Sequence, residues 1–182
     1  MSSDCRKIYA HNTHLSKLDH EDIPKEIITL DVTFSRLNSL DVSDREELKF
    51  LFCSYNRLTE LKIDNCDQLS LLMCQHNSLR ELDVKNLPML EQLECRNNLL
   101  SELSVSDTLT WLSCESNRLR ELKLNHCKDL EHLECADNHL EVLEIQALEN
   151  LTAIDCHGNN RTPHELIQGV AREVTNKQEK ER

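Results

Sequence analysis

Apolar residues recur along this chain in a fixed order that repeats about every 21 residues. One unit reads Leu-x-x-Leu-x-Cys-x-x-Asn-x-Leu-x-x-Leu-x-Val, as in residues 69–84. The units begin at Cys5, Ile27, Leu48, Leu69, Leu90, Leu109, Leu130 and Leu151, and the first two match the pattern less well. A fixed period of this length is typical of a solenoid, in which each unit packs mainly on its two neighbours.

Each unit contains two short stretches in which apolar residues lie two positions apart. This alternation predicts a strand in each stretch. Identical strands stacked about 4.8 Å apart form a parallel sheet, so the cysteine-containing stretches predict one sheet along the solenoid. The second stretch predicts extended backbone on the far side rather than a long helix.

Six units carry a cysteine followed three residues later by an asparagine. The pairs are Cys53/Asn56, Cys74/Asn77, Cys95/Asn98, Cys114/Asn117, Cys135/Asn138 and Cys156/Asn159. All nine cysteines, including Cys5, Cys66 and Cys127, fall on positions expected to point inward, where a small apolar side chain lets successive units pack closely. The asparagine amide can both donate and accept, so we expect it to bond backbone groups in the turn.

These residues resemble the leucine-rich repeat family, most closely the bacterial class with nested 21-residue units LxxLxCxxNxLxxLDLxxLxx, called IRREKO repeats. The resemblance covers about residues 5–160, and the LDL part matches only loosely, as in Leu82-Asp83-Val84. It implies an α/β-type leucine-rich repeat solenoid with a curved parallel sheet on the concave face, a mostly extended or irregular convex side and a protein-binding role. Members of this bacterial class include secreted effectors and internalin-like surface proteins.

The pattern divides the chain into three parts. Residues 1–26 are expected to form an irregular N-terminal repeat and cap, residues 27–160 the repeats, and residues 161–182 a capping helix and polar tail. Thr162-Pro163-His164-Glu165 is typical of a helix start, with a capping threonine and a proline at the first helical position. The predicted apolar helix face consists of Leu166, Ile167, Val170, Ala171 and Val174. We expect this helix to cover the end of the core, and the alternative is that it docks on a partner. Residues from Thr175 are expected to fray.

The chain is acidic, with a formal net charge of −12, and the part before residue 161 carries −13. Such a surface repels phosphate backbones and attracts basic surfaces, so a basic or mixed apolar and basic protein is a better partner than nucleic acid. Acidity alone is also explained by solubility. Only two glycines, Gly158 and Gly169, are present, which excludes glycine-rich nucleotide-binding loops.

Two features of the sequence predict where the protein works. It lacks an apolar run near the roughly 20 residues of a membrane span, and its N-terminus lacks the basic and apolar parts of a signal peptide. Inward thiols in a row indicate free cysteines rather than disulfides. We therefore expect a monomer in the cytoplasm or another reducing compartment. Delivery into a host cell is a setting that only the family resemblance implies.

The outward residues of the predicted strands are where the repeat does not dictate identity. Phe50, Phe52, Leu71 and Met73 are expected to form an exposed apolar patch, which commonly marks an interaction site. A terminal segment that covers the patch, or simple pairing of aromatics across strands, is the alternative. The predicted partner-binding residues are Phe50, Phe52, Leu71, Met73, Trp111, Glu94, Arg96, Glu115, Glu134 and Asp155.

Catalytic and metal sites have little support in the sequence. In pairs such as Cys74 and His76, or Cys156 and His157, the cysteine is expected to be buried and inert and the histidine exposed. No Cys-x-x-Cys or His-x-x-x-His pair is present, so neither a metal nor another cofactor is predicted. The leading hypothesis is a non-enzymatic protein-binding module, with an inhibitor of a basic enzyme as the alternative.

Overall fold

The computed structural model describes residues 6–168 and 175–176. Nine short parallel strands of this part form one sheet, the concave sheet. In order across the sheet, they are Lys7–Tyr9, Thr29–Asp31, Phe50–Phe52, Leu71–Met73, Gln92–Glu94, Trp111–Ser113, His132–Glu134, Ala153–Asp155 and Thr175–Asn176. The first eight come one from each predicted unit, because each unit repeats the same alternation of inward and outward side chains.

The convex side carries shorter stretches of extended backbone, as the second alternation of each unit predicts. Within the described ranges they pair two by two: Ser39–Asp41 with Glu60–Lys62, Glu81–Asp83 with Glu102–Ser104, and Leu143–Glu144 with Ile167–Gln168. The pairing stops after Glu102–Ser104 and resumes at Leu143–Glu144. The one 19-residue unit, residues 90–108, ends at the start of this interval, and its shortened turn bonds the preceding turn through Ser106 Oγ to Leu87 O at 2.9 Å.

The core between the two sides consists of leucines and cysteines in register. All six ladder cysteines have no exposed surface, and Cys66 and Cys127 are equally buried in the convex turns. Cys5 lies outside the described residues. Every described cysteine is a free thiol. The ladder is therefore a column of small apolar side chains that allows close stacking of the units.

Each ladder asparagine links two neighbouring units through its amide. In Asn98, Nδ2 donates to the carbonyl oxygens of Cys95 and Cys74 at 3.0 and 3.1 Å, and Oδ1 accepts from the backbone N–H of Leu79 at 3.0 Å. The same three bonds recur at Asn56, Asn77, Asn117, Asn138 and Asn159. The amides thus satisfy buried backbone groups at the point where the chain leaves the strand, which confirms the predicted role.

A buried arginine closes the N-terminal end of the core. Arg45 occupies the repeat position of Cys66 one unit later, and only 2% of its surface is exposed. Its guanidinium donates to the carbonyl oxygens of Ile23 at 3.1 Å, Ser43 at 2.8 Å and His20. His20 opens a short 3₁₀ helix, His20–Asp22. The charge is therefore held by three backbone carbonyls, and Arg45 supplies the donor to those of Ile23 and Ser43, whereas that of His20 also accepts the Ile23 N–H at 3.2 Å.

The C-terminal end differs from the predicted capping helix. A helix does begin after Thr162 with the predicted capping box and proline, but it spans only Pro163–Leu166. Ile167 lies in a convex strand paired with Leu143, so its assignment to a helical face was wrong. The other predicted face residues, Val170, Ala171 and Val174, lie outside the described residues.

Thr175–Asn176 extend the concave sheet beside Ala153 and Ile154, and the prediction of a frayed segment from Thr175 was also wrong at these two residues. In both cases strand pairing provides hydrogen-bond partners for the backbone groups at the open edge of a sheet. The local sequence does not reveal such pairing. The architecture as a whole is the predicted leucine-rich repeat solenoid, with a parallel concave sheet, an extended or irregular convex side and a short C-terminal helix.

Candidate functional site

Parallel pairing in register arranges the outward side chains of the concave sheet in two rows. The first row is Lys7, Thr29, Phe50, Leu71, Gln92, Trp111, His132 and Ala153. The second row is Tyr9, Asp31, Phe52, Met73, Glu94, Ser113, Glu134 and Asp155. Both rows are those expected from the sequence, because every unit keeps the same register relative to its cysteine position.

The four residues of the predicted apolar patch lie on two adjacent strands. Phe50 is directly beside Leu71, and Phe52 is directly beside Met73. Phe50 is 38% exposed, while the other three are half-buried. Neighbouring side chains of this size leave a continuous apolar surface on the sheet, where aromatic residues and methionine are favoured at protein interfaces.

Three stacked rings at the end of the strands continue this surface and escaped the sequence prediction. Phe34 stacks on Tyr55 with ring centroids 4.3 Å apart, and Tyr55 stacks on His76 at 4.2 Å. Each ring lies two residues after the cysteine position of its unit, where the backbone turns with φ between 54° and 55°. The regular spacing of 21 residues between the three rings was the signal that could have revealed the stack.

Together these residues form what we call the aromatic surface. Its members are Phe34, Phe50, Phe52, Tyr55, Leu71 and Met73. It includes four of the six aromatic residues of the chain, and Phe34 and Tyr55 are 55% and 40% exposed. A fifth, Tyr9, is 62% exposed, but Asp31 separates it from Phe52 in the second row. Exposed aromatics concentrated at one end of a solenoid need a reason, because isolated exposed apolar residues normally scatter over a surface.

Carboxylates lie on the other half of the concave sheet and directly beyond its strand ends, and we call them the acidic surface: Glu94, Glu134 and Asp155 on the strands, and Glu115 two residues after Ser113. Burial raises the pKa of Glu115, and the nearby charges of Glu134 and Asp155 raise it further. His157 Nδ1 lies 2.6 Å from Asp155 Oδ1, and this hydrogen bond raises the pKa of His157. The nearby positive groups, Arg96 and His157, therefore neutralise the negative charge of this cluster only in part.

Two predicted site residues stand apart from these surfaces. Trp111 is separated from Leu71 by Gln92 in the first row, and its ring tilts against that of His132 with centroids 4.6 Å apart. Arg96 is half-buried between the two surfaces. Burial and, to a smaller extent, the Arg96 charge lower the pKa of His76, and the same charge opposes the rise in the pKa of Glu115. The Arg96 Nε lacks a hydrogen-bond partner within residues 6–168.

The cysteines and histidines do not assemble a reactive site. Burial raises the pKa of Cys74 to about 12, and the neighbouring His76 lies outside in the ring stack. Cys156 is fully buried, whereas His157 bonds Asp155 on the outer side. In the described part of the chain, no group of three or more His, Cys, Asp or Glu is arranged to hold a metal ion. The same part contains no helix of the length and hydropathy required to cross a membrane.

Solved structures of bacterial leucine-rich repeat proteins are similar to this chain. The functional domain of InlJ from Listeria monocytogenes, which includes a cysteine ladder, is 26% identical over 85% of this chain, with a TM-score of 0.65. YopM, a leucine-rich effector protein from Yersinia pestis, is 24% identical over 86%, with a TM-score of 0.77. A leucine-rich repeat protein of Leptospira interrogans is 25% identical over 78%, with a TM-score of 0.59.

The chain spans 40% of the InlJ domain and 45% of each of the other two structures. No protein-family model matches the sequence, and no curated protein matches it either. The comparisons therefore support the bacterial leucine-rich repeat fold that the sequence resembles, with a period of about 21 residues.

Proposed function

We propose that this protein is a non-enzymatic binding module that holds a partner protein on its concave sheet. Phe50, Phe52, Leu71 and Met73 anchor the partner, with Trp111 as a further anchor. The observation that carries the proposal is the concentration of four of the six aromatic residues on the aromatic surface. Large rigid side chains of this kind supply most of the binding energy at protein interfaces.

The backbone at the ring stack supports a role beyond stability. A side chain in the left-handed region costs about 1–2 kcal/mol, and asparagine, aspartate and glycine cost less than bulky residues. Other units use Asn97, Asp137 and Gly158 at this position. Stacking returns only about 0.5–1.5 kcal/mol per aromatic pair. Phe34 and Tyr55 thus add little to the stability of the fold. Contact with a partner better explains why exposed rings occupy this position.

The acidic surface orients the partner and favours a basic or mixed apolar and basic one. Opposite charge accelerates association and excludes acidic competitors, and its effect decreases as salt screens it. We therefore expect binding to weaken as the salt concentration rises, whereas the contribution of the aromatic surface persists. Leucine-rich effectors are among the similar structures, and an effector role inside another cell is one setting for this module.

Affinity capture with matched variants tests the proposal. The test variant is Phe52→Asp/Met73→Asp, and the control is Met89→Asp/Val142→Asp, which places the same charges on two exposed apolar residues away from the concave sheet. Circular dichroism and thermal melting must first show that all three proteins are equally folded. A partner retained by the wild type and the control but lost by the test variant supports binding by the aromatic surface.

The opposite pattern would count against it. If the wild type and the test variant capture the same partner equally, the aromatic surface is not the binding site. Tyr55→Asn provides a second probe, because asparagine suits the left-handed turn and removes only the ring. Reduced capture by this variant, with unchanged melting, supports a role for the ring stack.

The acidic surface also favours a second candidate function, inhibition of a basic enzyme. Glu94 and Glu134 on the concave sheet, with Glu115 just beyond its strand, could cover a cationic active site through complementary charge. This function requires that a captured partner be an enzyme and that it lose activity on binding. A partner whose activity is unchanged by saturating amounts of the wild type would exclude inhibition while leaving the binding module intact.

A further inference from the structure

A small cavity of about 160 Å³ opens on the acidic half of the concave sheet. Trp111 and His132 form one wall, and Ala153 follows them in the first row. Glu134 and Asp155 from the second row complete the rim. The cavity exists because Ala153 is short, whereas the two preceding residues of the row, Trp111 and His132, carry rings.

The aromatic wall is held in place before any ligand arrives. The Trp111 and His132 rings contact each other at a centroid distance of 4.6 Å with a tilt of 37°. Both residues lie on paired central strands of the sheet. Rigid walls reduce the entropy lost on binding, so a preformed cavity of this kind favours one ligand geometry.

The chemistry around the cavity favours a cation. Glu134 and Asp155 carry negative charge, and the indole face of Trp111 attracts cations through its quadrupole. Beside the cavity, Ser113 lies between Glu94 and Glu134 in the second row, and only 2% of its surface is exposed. Its Oγ lacks a hydrogen-bond partner among the described residues, and such buried groups commonly mark a site that a further polar group completes.

We propose that this cavity is a subsite for one lysine side chain of the partner protein. The inference rests on the proposed function, since it assigns the chemistry of one contact on the same concave sheet. The volume is about five times the roughly 30 Å³ that one water occupies, which suits the four methylenes and ammonium of lysine. The guanidinium of arginine, which also stacks on aromatic rings, is the competing occupant that the titration must exclude.

The ionisation of the acidic surface agrees with this assignment. Burial together with the charges of Glu134 and Asp155 raises the pKa of Glu115, so the three carboxylates repel one another in the free protein. An ammonium group between Trp111 and these carboxylates relieves that repulsion. His157 already bonds Asp155 on one side, yet a carboxylate accepts several hydrogen bonds and can bond both groups.

Trp111 makes the subsite directly observable, because it is the only tryptophan of the chain. The experiment follows its indole N–H by NMR while Nα-acetyl-lysine methylamide is added to the intact protein. We expect a saturable shift with half-saturation on the order of 10 mM, since one side chain makes few contacts. The norleucine analogue, which lacks the charge, is expected to leave the signal nearly unchanged.

Three variants locate the binding. Ala153→Leu fills the cavity without altering its charge, and the saturable shift is expected to disappear. Glu134→Gln removes one charge and is expected to weaken binding about fivefold. Glu102→Gln makes the same change on the convex side and is expected to stay within about twofold of the wild type.

Several results would overturn the proposal. They are an unmoved indole signal, an equal response to norleucine and lysine, a stronger response to the arginine analogue, or saturable binding that survives Ala153→Leu. This titration does not involve the aromatic surface. Equal capture by the wild type and Phe52→Asp/Met73→Asp would therefore refute the aromatic anchors without affecting the lysine result, and loss of the lysine result leaves the capture experiment valid.

Discussion

The asparagine ladder provides the sharpest quantitative prediction, and Asn117→Ala is the variant that tests it. Asn117 is 6% exposed, and its Oδ1 is 3.0 Å from the backbone nitrogen of Leu100. Its Nδ2 donates to the carbonyl oxygens of Cys95 and Cys114 at 3.1 and 3.0 Å. Alanine removes these three bonds and a fourth, to the Glu115 carbonyl oxygen at 3.1 Å, which keeps the Asn97 N–H as a donor. It leaves the buried N–H of Leu100 without its acceptor.

The magnitude follows from which groups lose their last partner. The carbonyls of Cys95 and Cys114 each keep a bond from the ladder asparagine of a neighbouring unit, Asn98 and Asn138. Only the Leu100 N–H is left unsatisfied, at a cost of about 1–3 kcal/mol. The lost packing of the amide adds about 1 kcal/mol. We therefore expect Asn117→Ala to lower the free energy of unfolding by about 3 kcal/mol.

Urea unfolding followed by circular dichroism under reducing conditions measures this change. Asn86→Ala is the control, because Asn86 is exposed in a convex turn, and its effect is expected to stay within about 0.5 kcal/mol. A loss below about 1 kcal/mol for Asn117→Ala would refute the reasoning, since it would mean that water or a rearranged backbone satisfies the Leu100 N–H.

An isosteric second variant separates hydrogen bonding from packing. Asn117→Asp preserves the shape of the side chain but places a carboxylate against two carbonyl oxygens, which raises its native pKa. An acid whose pKa is raised on folding destabilises the native state above its unfolded pKa of about 4. The loss of stability relative to the wild type is therefore expected to grow as the pH rises from about 4 to 7. A loss that does not depend on pH would refute this explanation.

Three further predictions follow from buried or paired groups. Arg45→Ala removes the donor to the Ile23 and Ser43 carbonyl oxygens and one of two donors to that of His20, and it is expected to cost about 3–5 kcal/mol in the same urea assay, whereas Arg57→Ala, on an exposed side chain, should cost less than 1 kcal/mol. In a Cys5→Ser background, the eight buried thiols should react with a thiol reagent only as fast as the protein unfolds, because burial raises their pKa; rapid native labelling would contradict the buried ladder. NMR titration should give His157 a pKa above its ordinary 6.5, and Asp155→Asn should lower it. The stabilisation from this pair is fully present below about pH 6.5 and is lost as the pH rises through the native pKa, so equal pH dependence of both proteins would contradict it.

The repeat was predictable because one physical constraint acts at the same position in every unit. A leucine or cysteine must face the core at each turn of the solenoid, so the period, the cysteine ladder, the asparagine bonds and both outward rows follow from spacing alone. The proximity of Phe50 to Leu71 and of Phe52 to Met73 follows in the same way. The role of these four residues in binding is a proposal, because strand register shows which side chains are neighbours and not what they bind.

The ends of the chain were less predictable because no neighbouring unit continues the pattern there. Thr162 and Pro163 correctly signal a helix start, but the sequence does not reveal that Ile167 gains more by pairing with Leu143 than by extending the helix. Arg45 likewise occupies a core position whose charge is acceptable only because carbonyls from a distant 3₁₀ helix surround it.

By itself, therefore, the sequence determined the repeating fold and the order of side chains along each row, because one pattern of inward and outward residues recurs at a fixed spacing. The tertiary structure alone decided the features that depend on turn geometry and unequal neighbours. A backbone turn with φ near 55° stacks Phe34 on Tyr55, and the short side chain of Ala153 beside His132 leaves a cavity. Both depend on distances between units, which spacing along the chain does not specify.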